Sequence, residues 1–259
     1  MALSAVLSKE MAVILGTKGT ELSPALATPN WTLGTGWEYG TSPATIKKTS
    51  DGTGTATPAS QTIASASIYL VEMDISSISG STATWTLGGF SGTNITAIGK
   101  IRQYILTTGT GKLIITPVAT GLRIEISSIS VKLITNETLG FATDFDFEVN
   151  KETIDITHLS SSGWKEFLVD LKEWKVSFSG LVTRGVPGAG EISFDELMTS
   201  IIGTDTPLIS VIKTTTSGDQ YFIGEAYLIS MKDSGSVGDK ITYSGELQGS
   251  GVISLLANV

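Results

Sequence analysis

The stretch that most constrains this chain lies at residues 141–182, which predict two strands joined by a loop. Along residues 144–149, carboxylate side chains alternate with apolar ones, the period-two pattern of a strand with one buried face. Residues 174–178 alternate in the same way, with Trp174 and Phe178 among the apolar positions. The two alternating segments predict paired, half-buried strands at this point of the chain.

The apolar phase changes beyond the first of these segments. Phe145 and Phe147 occupy odd positions, whereas the next apolar residues, Ile154 and Ile156, occupy even ones. Because neighbouring side chains of a strand point to opposite faces, a bulge or break near residues 150–151 is needed to keep both sets inside.

One segment predicts a helix, at residues 193–202. Ser193 and Glu196 have the spacing of a capping box, and Gly203 supplies the stop signal. Apolar residues recur within the segment at helical spacing and form one stripe. Strands are predicted on both sides of it, so the expected fold class is mainly β with one α-helix.

Six short motifs lie in the second half of the chain. They are ETIDIT at 152–157, SGWKE at 162–166, LKEWKVSFSG at 171–180, FDEL at 194–197, GDQY at 218–221 and ITYSGELQG at 241–249. Together they resemble the major tail protein, or tail tube protein, family of long-tailed phages. The resemblance implies a tube domain built as a β-sandwich or barrel with one helix.

The same resemblance implies a function. A protein of this kind is a structural virion protein, the major tail tube subunit, whose copies form hexameric rings that stack into a tube. The implied partners are other copies, other phage tail proteins and DNA, which passes through during ejection without specific binding. The implied location is the virion tail, assembled in the host cytoplasm. The tube of a contractile injection machine is a related alternative.

Residues 28–135 have a different character. Short alternating strands spaced about ten residues apart, with Gly-rich turns, predict a two-sheet sandwich. WTLGTGWEYG at 31–40, IYLVEMDI at 68–75 and LRIEISSISVKL at 122–133 resemble the jelly-roll modules that decorate phage virion proteins. Those modules are similar to carbohydrate-binding modules. The expected fold therefore includes a separate jelly-roll β-sandwich domain.

The two resemblances together imply an order of domains. In the tail tube family, a short strand like MAVIL at 11–15 precedes the strand at 141–149 after only a brief connection. Residues 1–27 are therefore expected to be the N-terminal arm and first strand of the tube domain, 28–135 an inserted jelly-roll decoration, and 136–259 the remainder of the tube domain. Insertion is tolerated where the two ends of the insert lie close together. Tandem domains, with MAVIL in the first, are the alternative.

Few side chains are available for catalysis. The 259 residues include no cysteine and one histidine, His158, which excludes a thiolate metal site and a multi-histidine site. The Gly-rich segments lack the spacing of phosphate-binding loops. We therefore expect no cofactor, no bound metal and no enzyme activity.

Charge is unevenly distributed along the chain. The net charge is −8; residues 28–135 hold 7 basic and 5 acidic residues, or +2, which leaves 10 basic and 20 acidic residues, or −10, elsewhere. An acidic region is a poor match for a surface that grips nucleic acid, because phosphate contacts need Lys and Arg. It suits a surface that DNA passes without sticking. No secretory signal and no membrane partner are expected.

The first candidate site is the acidic side of the strand at 144–149. Asp144, Asp146 and Glu148 follow one another at about 7 Å along one face of a strand, a spacing that does not favour an acid–base pair or a calcium site. Since the resemblance implies a sheet that lines a central channel, these carboxylates are candidates for facing the lumen. An ordinary solvated face is the competing interpretation.

The second candidate site belongs to residues 28–135. Trp37, Tyr39 and Trp85 could stack on a sugar ring, because amphipathic aromatic side chains often form such platforms. Packing in the core or at a sheet edge is the alternative for each. A host-surface glycan as ligand would make the protein a carbohydrate-binding or adhesion protein that acts through its jelly roll, and this is the second function considered.

Overall fold

The computed structural model divides the chain into two compact units. It describes residues 11–41, 44–139, 142–158, 164–182, 191–203, 207–214, 220–235 and 240–257. Met1–Gly16 and Asn136–Asn258 form the terminal unit, and Thr17–Thr135 form the central unit. The part of the chain that is described consists mainly of strands with one helix, which confirms the predicted fold class. That helix is too short and too polar to cross a membrane.

The helix α1 spans Phe194–Gly203. The strands in chain order are β1 (Met11–Glu21), β2 (Trp31–Leu33), β3 (Trp37–Thr41), β4 (Ala44–Lys48), β5 (Ala56–Pro58), β6 (Ile68–Ser79), β7 (Ala83–Leu87), β8 (Phe90–Ser91), β9 (Gly99–Leu106), β10 (Ile114–Pro117), β11 (Arg123–Leu139), β12 (Ala142–Asp155), β13 (Phe167–Leu181), β14 (Glu191–Ile192), β15 (Leu208–Thr214), β16 (Gln220–Ser234) and β17 (Thr242–Ala257).

The central unit contains two antiparallel sheets. One has the order β3-β4-β11-β6-β9 and the other β2-β5-β10-β7-β8. Alternation determines which side chains enter the core: in β7, Ala83, Trp85 and Leu87 are fully buried while the threonines between them are partly exposed. They share one apolar core with residues of the other sheet, including Ile126.

The terminal unit contains an antiparallel sheet of six strands, the helix, and the end of β11, which pairs in parallel with β14. The sheet has the order β12-β13-β17-β16-β15-β1. Strand β1 pairs with β15 from Met11↔Thr214 to Gly16↔Ile209. The core side chains that the sequence predicted on β13 are Trp174, Val176 and Phe178, and all three are buried. Trp174 lies so close to β17 that a Cβ at Gly249 would overlap its ring.

Helix α1 covers part of this apolar face. The predicted capping box is present: the backbone N–H of Ser193 donates to Glu196 Oε2 at 2.7 Å, and the backbone N–H of Glu196 donates to Ser193 Oγ at 3.2 Å. The bond from the Ser193 backbone N–H, and then that from the Ser193 hydroxyl to Glu196 Oε2 at 2.9 Å, hold the pKa of Glu196 below its ordinary value. Leu197 is buried in the core, whereas Ile202 at the end of the predicted apolar stripe is 79% exposed.

The long β12–β13 hairpin differs from the expectation in one respect. The register shifts between Lys151 and Thr153, so a bulge is present close to where the change of phase required one. Phe145 and Phe147 pack against the core, as expected. Ile154 and Ile156, however, are each 47% exposed, because no element of the described chain covers the sheet beyond the bulge. The expectation that both apolar sets lie inside is therefore wrong for a single copy of the chain.

Candidate functional site

The three predicted carboxylates lie on the face of β12 that points away from the apolar core. Phe145 and Phe147 occupy the core side, and Phe147 stacks near Phe222 with ring centroids 4.9 Å apart. Asp144 and Asp146 are exposed, and Glu148 is partly exposed. The role of these carboxylates in a channel stays a prediction.

Neighbouring strands extend this surface with further polar side chains. Asp146 is opposite Ser177 on β13, Ser177 is opposite Glu246 on β17, and Glu246 is opposite Ser230 on β16. Residues that are opposite each other in a sheet point to the same face. We call this surface the polar face; it comprises Asp144, Asp146, Glu148, Lys175, Ser177, Ser179, Ser230, Lys232, Ser244, Glu246 and Gln248.

The acidic end of the polar face borders a shallow groove. The groove has a volume of about 380 Å³, and Asp144, Asp146 and Glu246 contribute to its lining together with four serines. The described residues supply no cation within 4 Å of these three carboxylates. The sequence analysis did not identify Glu246, which lies a hundred positions beyond Asp146 and reaches the same groove only through strand pairing.

Glu148 has a different environment from the other carboxylates of β12. Its Oε2 lies 2.9 Å from Lys175 Nζ, and its Oε1 accepts a hydrogen bond from Asn150 Nδ2 at 3.0 Å. The hydrogen bond with Lys175, followed by that with Asn150, lowers the pKa of Glu148, and the same contact raises the pKa of Lys175. Both groups are therefore charged at neutral pH, and their charges cancel locally.

The polar face is suited to act through its charges and hydroxyl groups, and not through a bound metal ion. Among the residues that the structure describes, no group of three His, Cys, Asp or Glu side chains is placed to hold a metal ion. His158, the one histidine, lies beyond β12 with Nδ1 3.6 Å from Glu166 Oε2. What the face offers is a group of carboxylates and hydroxyls on four adjacent strands, β12, β13, β17 and β16.

The predicted glycan-contact residues belong to the interior of the central unit, and this corrects the sequence analysis. Trp85 is fully buried and Trp37 is 7% exposed, so neither ring offers a face to a sugar. Each indole N–H is used internally, Trp37 towards the Gly54 carbonyl at 2.7 Å and Trp85 towards the Thr93 carbonyl at 2.9 Å. Tyr39 is partly buried, and its hydroxyl is hydrogen-bonded to both backbone groups of Trp31.

Sequence analysis also missed an exposed apolar surface around and beyond the bulge of the β12–β13 hairpin. We call this surface the hairpin end; it comprises Val149, Ile154, Ile156, Trp164, Phe167, Leu168 and Leu171. Trp164 is 79% exposed and Leu171 is 72% exposed. The sequence does hold a signal for this surface. Apolar residues continue past the bulge, and no second sheet or helix is predicted to cover them.

Comparisons with known proteins found a matching family model and similar solved structures. A family model described as phage tail tube protein matches residues 124–255, which is 132 of the 259 residues. No curated protein matches the chain. Two similar solved structures are described as the virion of a native gene transfer agent (GTA) particle, and the tail of an empty GTA particle computed with helical refinement and C6 symmetry.

Both solved chains are 21% identical to this one, with a TM-score of 0.39. The match covers 47% of this chain in each case, and 89% and 87% of the respective solved chains. The family model, which spans more than half of the sequence, identifies the chain. It belongs to the phage tail tube protein family, whose members are structural, non-enzymatic components of the virion tail.

Proposed function

We propose that the protein is a major tail tube subunit whose copies form hexameric rings, stacked into a tube that conducts DNA during ejection. Other tail proteins would bind the ends of this tube. The observation that carries the proposal is the exposed apolar hairpin end on a chain of the tail tube family. A group of large exposed apolar side chains at one place in the fold marks a site of protein association.

An open sheet edge supports association between copies. Within the described ranges, β12 pairs with β13 alone, so one side of its 14 residues offers unused backbone N–H and C=O groups. Such an edge is a template for pairing with another strand, and it is far longer than the short edges that proteins leave uncovered. Identical copies joined in this way close most simply into a ring with cyclic symmetry.

The hairpin end supports contact with a further copy. Burying Trp164 and Leu171 would remove two large apolar side chains from water, each worth about 1.5–3 kcal/mol. A hairpin that extends past its own core is well suited to reach a neighbouring ring, and repeated contacts of this kind would stack rings into a tube.

The polar face is the surface that we assign to the channel. It is acidic and rich in hydroxyls, and it lies on the sheet opposite the core, so that it is free to line a lumen. Carboxylates repel phosphates over a Debye length of about 8–10 Å at physiological salt, a range that matters where DNA is confined. Asp144 and Asp146 would thus keep DNA from adhering to the wall, which Glu148 would also line with its charge cancelled by Lys175.

We further propose that the central unit is a jelly-roll decoration inserted into the tube domain. Strand β1 pairs with β15 within the terminal unit, which supports insertion over a tandem arrangement. The insert would begin near Thr17 instead of residue 28, because Leu22 and Glu21 pack within the central unit. The Leu22 N–H donates to the Val131 carbonyl at 2.8 Å, and the Val131 N–H donates to Glu21 Oε1 at 2.7 Å.

Electron microscopy of the purified full-length protein tests the assembly. We expect rings with sixfold averages and, at high protein concentration, stacked tubes. Light scattering measured in parallel should report a mass that rises with concentration. A strictly monomeric protein under all conditions, including after long storage, would contradict the proposal.

A further inference from the structure

The sheet β2-β5-β10-β7-β8 of the central unit has an outward face without charged side chains. Its five strands contain no Asp, Glu, Lys or Arg. The outward face of the other sheet, in contrast, carries charged groups such as the pair of Glu72 and Arg102. The charged residue nearest to the five strands in sequence is Lys112, two positions before β10, and its Nζ donates to the Ala59 carbonyl at 2.6 Å. The uncharged face therefore offers little to attract a charged partner.

The outward residues of these strands are nearly all threonine. In β7, Thr84 and Thr86 are partly exposed between buried neighbours, and the same alternation identifies the outward residues of the other four strands. We call this surface the threonine face; it comprises Thr32, Thr57, Thr84, Thr86, Ser91, Ile114 and Thr116. All but Ile114 carry a hydroxyl, and all but Ser91 are β-branched. Because β-branched side chains have few rotamers, the threonine face is largely ordered before a ligand binds.

One residue from each strand lies in a row across the threonine face. In spatial order the row is Thr32, Thr57, Ile114, Thr86 and Ser91. Neighbouring strands lie about 4.8 Å apart, which is close to the length of one sugar residue in an extended polysaccharide chain. The row therefore repeats at nearly the interval at which such a chain repeats its hydroxyl and C–H groups.

Most hydroxyls of the threonine face are available to a ligand. The Thr84 hydroxyl donates to the Thr116 carbonyl at 3.4 Å, whereas the other five hydroxyls make no hydrogen bond within the described ranges. A hydroxyl both donates and accepts, as the hydroxyls of a sugar do. The threonine methyl groups and Ile114, which is 36% exposed, can pack on the C–H groups of a sugar ring.

Other classes of partner fit the threonine face less well. A nucleic acid needs Lys or Arg at its phosphates. A protein partner favours aromatic residues, Met and Arg, and a standard interface takes roughly 20–30 residues from each side. The threonine face has seven residues, none of these types, so neither a nucleic acid nor a second protein matches it.

We propose that the threonine face binds a neutral polysaccharide, which lies across the five strands along the row from Thr32 to Ser91. Sugar hydroxyls exchange hydrogen bonds with Thr57 and Thr86, and a sugar ring packs on Ile114 between them. The site is separate from the aromatic residues that the sequence indicated. It belongs to the central unit alone, so it does not depend on the assembly of rings.

Depletion of the dilute full-length protein from solution by polysaccharide beads tests the proposal. Beads of dextran, amorphous cellulose and mannan supply neutral chains, and dextran sulfate beads supply an acidic one. The protein should bind at least one neutral polysaccharide, and raising the salt concentration should change that binding by less than about twofold, because no charges are paired. Binding to none of the three neutral polysaccharides, or to dextran sulfate alone, overturns the proposal.

Substitutions in the row show whether the threonine face is the surface that binds. Thr57→Val/Thr86→Val keeps the branching but removes two hydroxyls, and it should weaken binding about tenfold or more, since each neutral hydrogen bond is worth roughly fivefold. Thr57→Ser/Thr86→Ser keeps both hydroxyls and should bind within about threefold of the wild type. Thr143→Val, at an exposed position of β12 in the terminal unit, is the matched control and should bind as the wild type does.

A bulky variant covers the case in which the valine variant does not fold. Thr116→Arg places a long charged side chain on the threonine face and should weaken binding at least about tenfold, because it blocks the surface. Circular dichroism should show native folding for this variant, since Thr116 is not part of the core. If the folded valine or arginine variant binds like the wild type, the polysaccharide does not bind at the threonine face.

Discussion

The central unit and the terminal unit differ in the exposure of their large apolar side chains. In the central unit the largest of these, such as Trp85, are enclosed, and the exposed ones among the described residues are Ile98, Ile114 and Val118. In the terminal unit seven exposed apolar residues lie on the two strands of one hairpin and the segments next to them. Scattered exposed residues need no explanation, whereas a group of them does. Among the described residues, a single copy of the terminal unit leaves a group of large apolar side chains uncovered, and a single copy of the central unit does not.

The two units also differ in how charges are matched. In the central unit Arg102 pairs with Glu72 at 3.1 Å and Arg123 pairs with Asp51 at 2.8 Å. On the polar face of the terminal unit, Asp144 and Asp146 have no such partner among the described residues. Exposed pairs contribute little to stability, so the difference concerns what each surface presents to its surroundings.

The largest expected effect comes from removing one core tryptophan from each unit. Trp174→Ala and Trp85→Ala should each destabilise their own unit by about 3–5 kcal/mol, because a large side chain is lost from a packed core. Peptide-resolved hydrogen exchange should show loss of protection in the terminal unit for Trp174→Ala and in the central unit for Trp85→Ala. Loss of protection in both units for either variant would show that the units do not fold separately.

Substitutions at the hairpin end should have a large effect on assembly and a small effect on folding. The double variant Trp164→Ser/Leu171→Ser should raise the concentration needed for tube formation by about a hundredfold, since each lost apolar contact is worth about 1.4 kcal/mol or more. Its thermal stability as a monomer should change by less than about 0.5 kcal/mol, because neither side chain lies in the core. Ile98→Ser, in the central unit, is the matched control. If the variant forms tubes at the wild-type concentration, the hairpin end is not part of the interface.

The polar face should affect DNA passage without affecting assembly. Replacing Asp144, Asp146 and Glu148 with Lys should leave rings intact, because none of the three side chains contacts the core, and should slow DNA ejection about tenfold or more. The measurement is the ejection rate from particles built with the variant, with Asp195→Lys as the control for added positive charge. Normal ejection would place these residues on the outer wall.

The smallest expected effect is that of deleting the central unit. Replacing residues 17–135 with a short Gly/Ser linker should leave the terminal unit folded and able to form rings, if the central unit is a self-contained insert. Circular dichroism and electron microscopy would check this. An insoluble or unfolded product would mean that the central unit contributes to the fold of the rest.

Local patterns predicted the parts of the fold that depend on neighbours in sequence. The alternation around Trp174 identified a strand with one buried face, and the spacing of Ser193 and Glu196 identified the start of the helix. Both patterns have a local cause: side-chain direction along a strand, and hydrogen bonds within one helical turn.

Other features could not be predicted because they depend on distant pairing or on what covers a face. Periodicity groups Ile154 with Ile156 on one side of a strand, but it does not say whether anything packs on that side. In the same way, an aromatic residue such as Trp37 or Trp85 suits both a core and a binding platform. Only the folded sheets show in which of the two it lies. The approach of Glu246 to Asp146 depends on the strand order of the whole sheet.

The pairing of β1 with β15 has a consequence for how the protein is made. A ribosome releases Met11 long before its partner Thr214, and it releases the whole of the central unit in between. Since domains generally fold as units as they emerge, we expect the central unit to fold first, while the sheet of the terminal unit waits for the last part of the chain. Nascent chains stalled at residue 200 should thus show a protease-resistant central unit and a cleavable first strand; protection of both would contradict this order. In the proposed assembly, late completion of that sheet would keep unfinished chains from joining a growing tube.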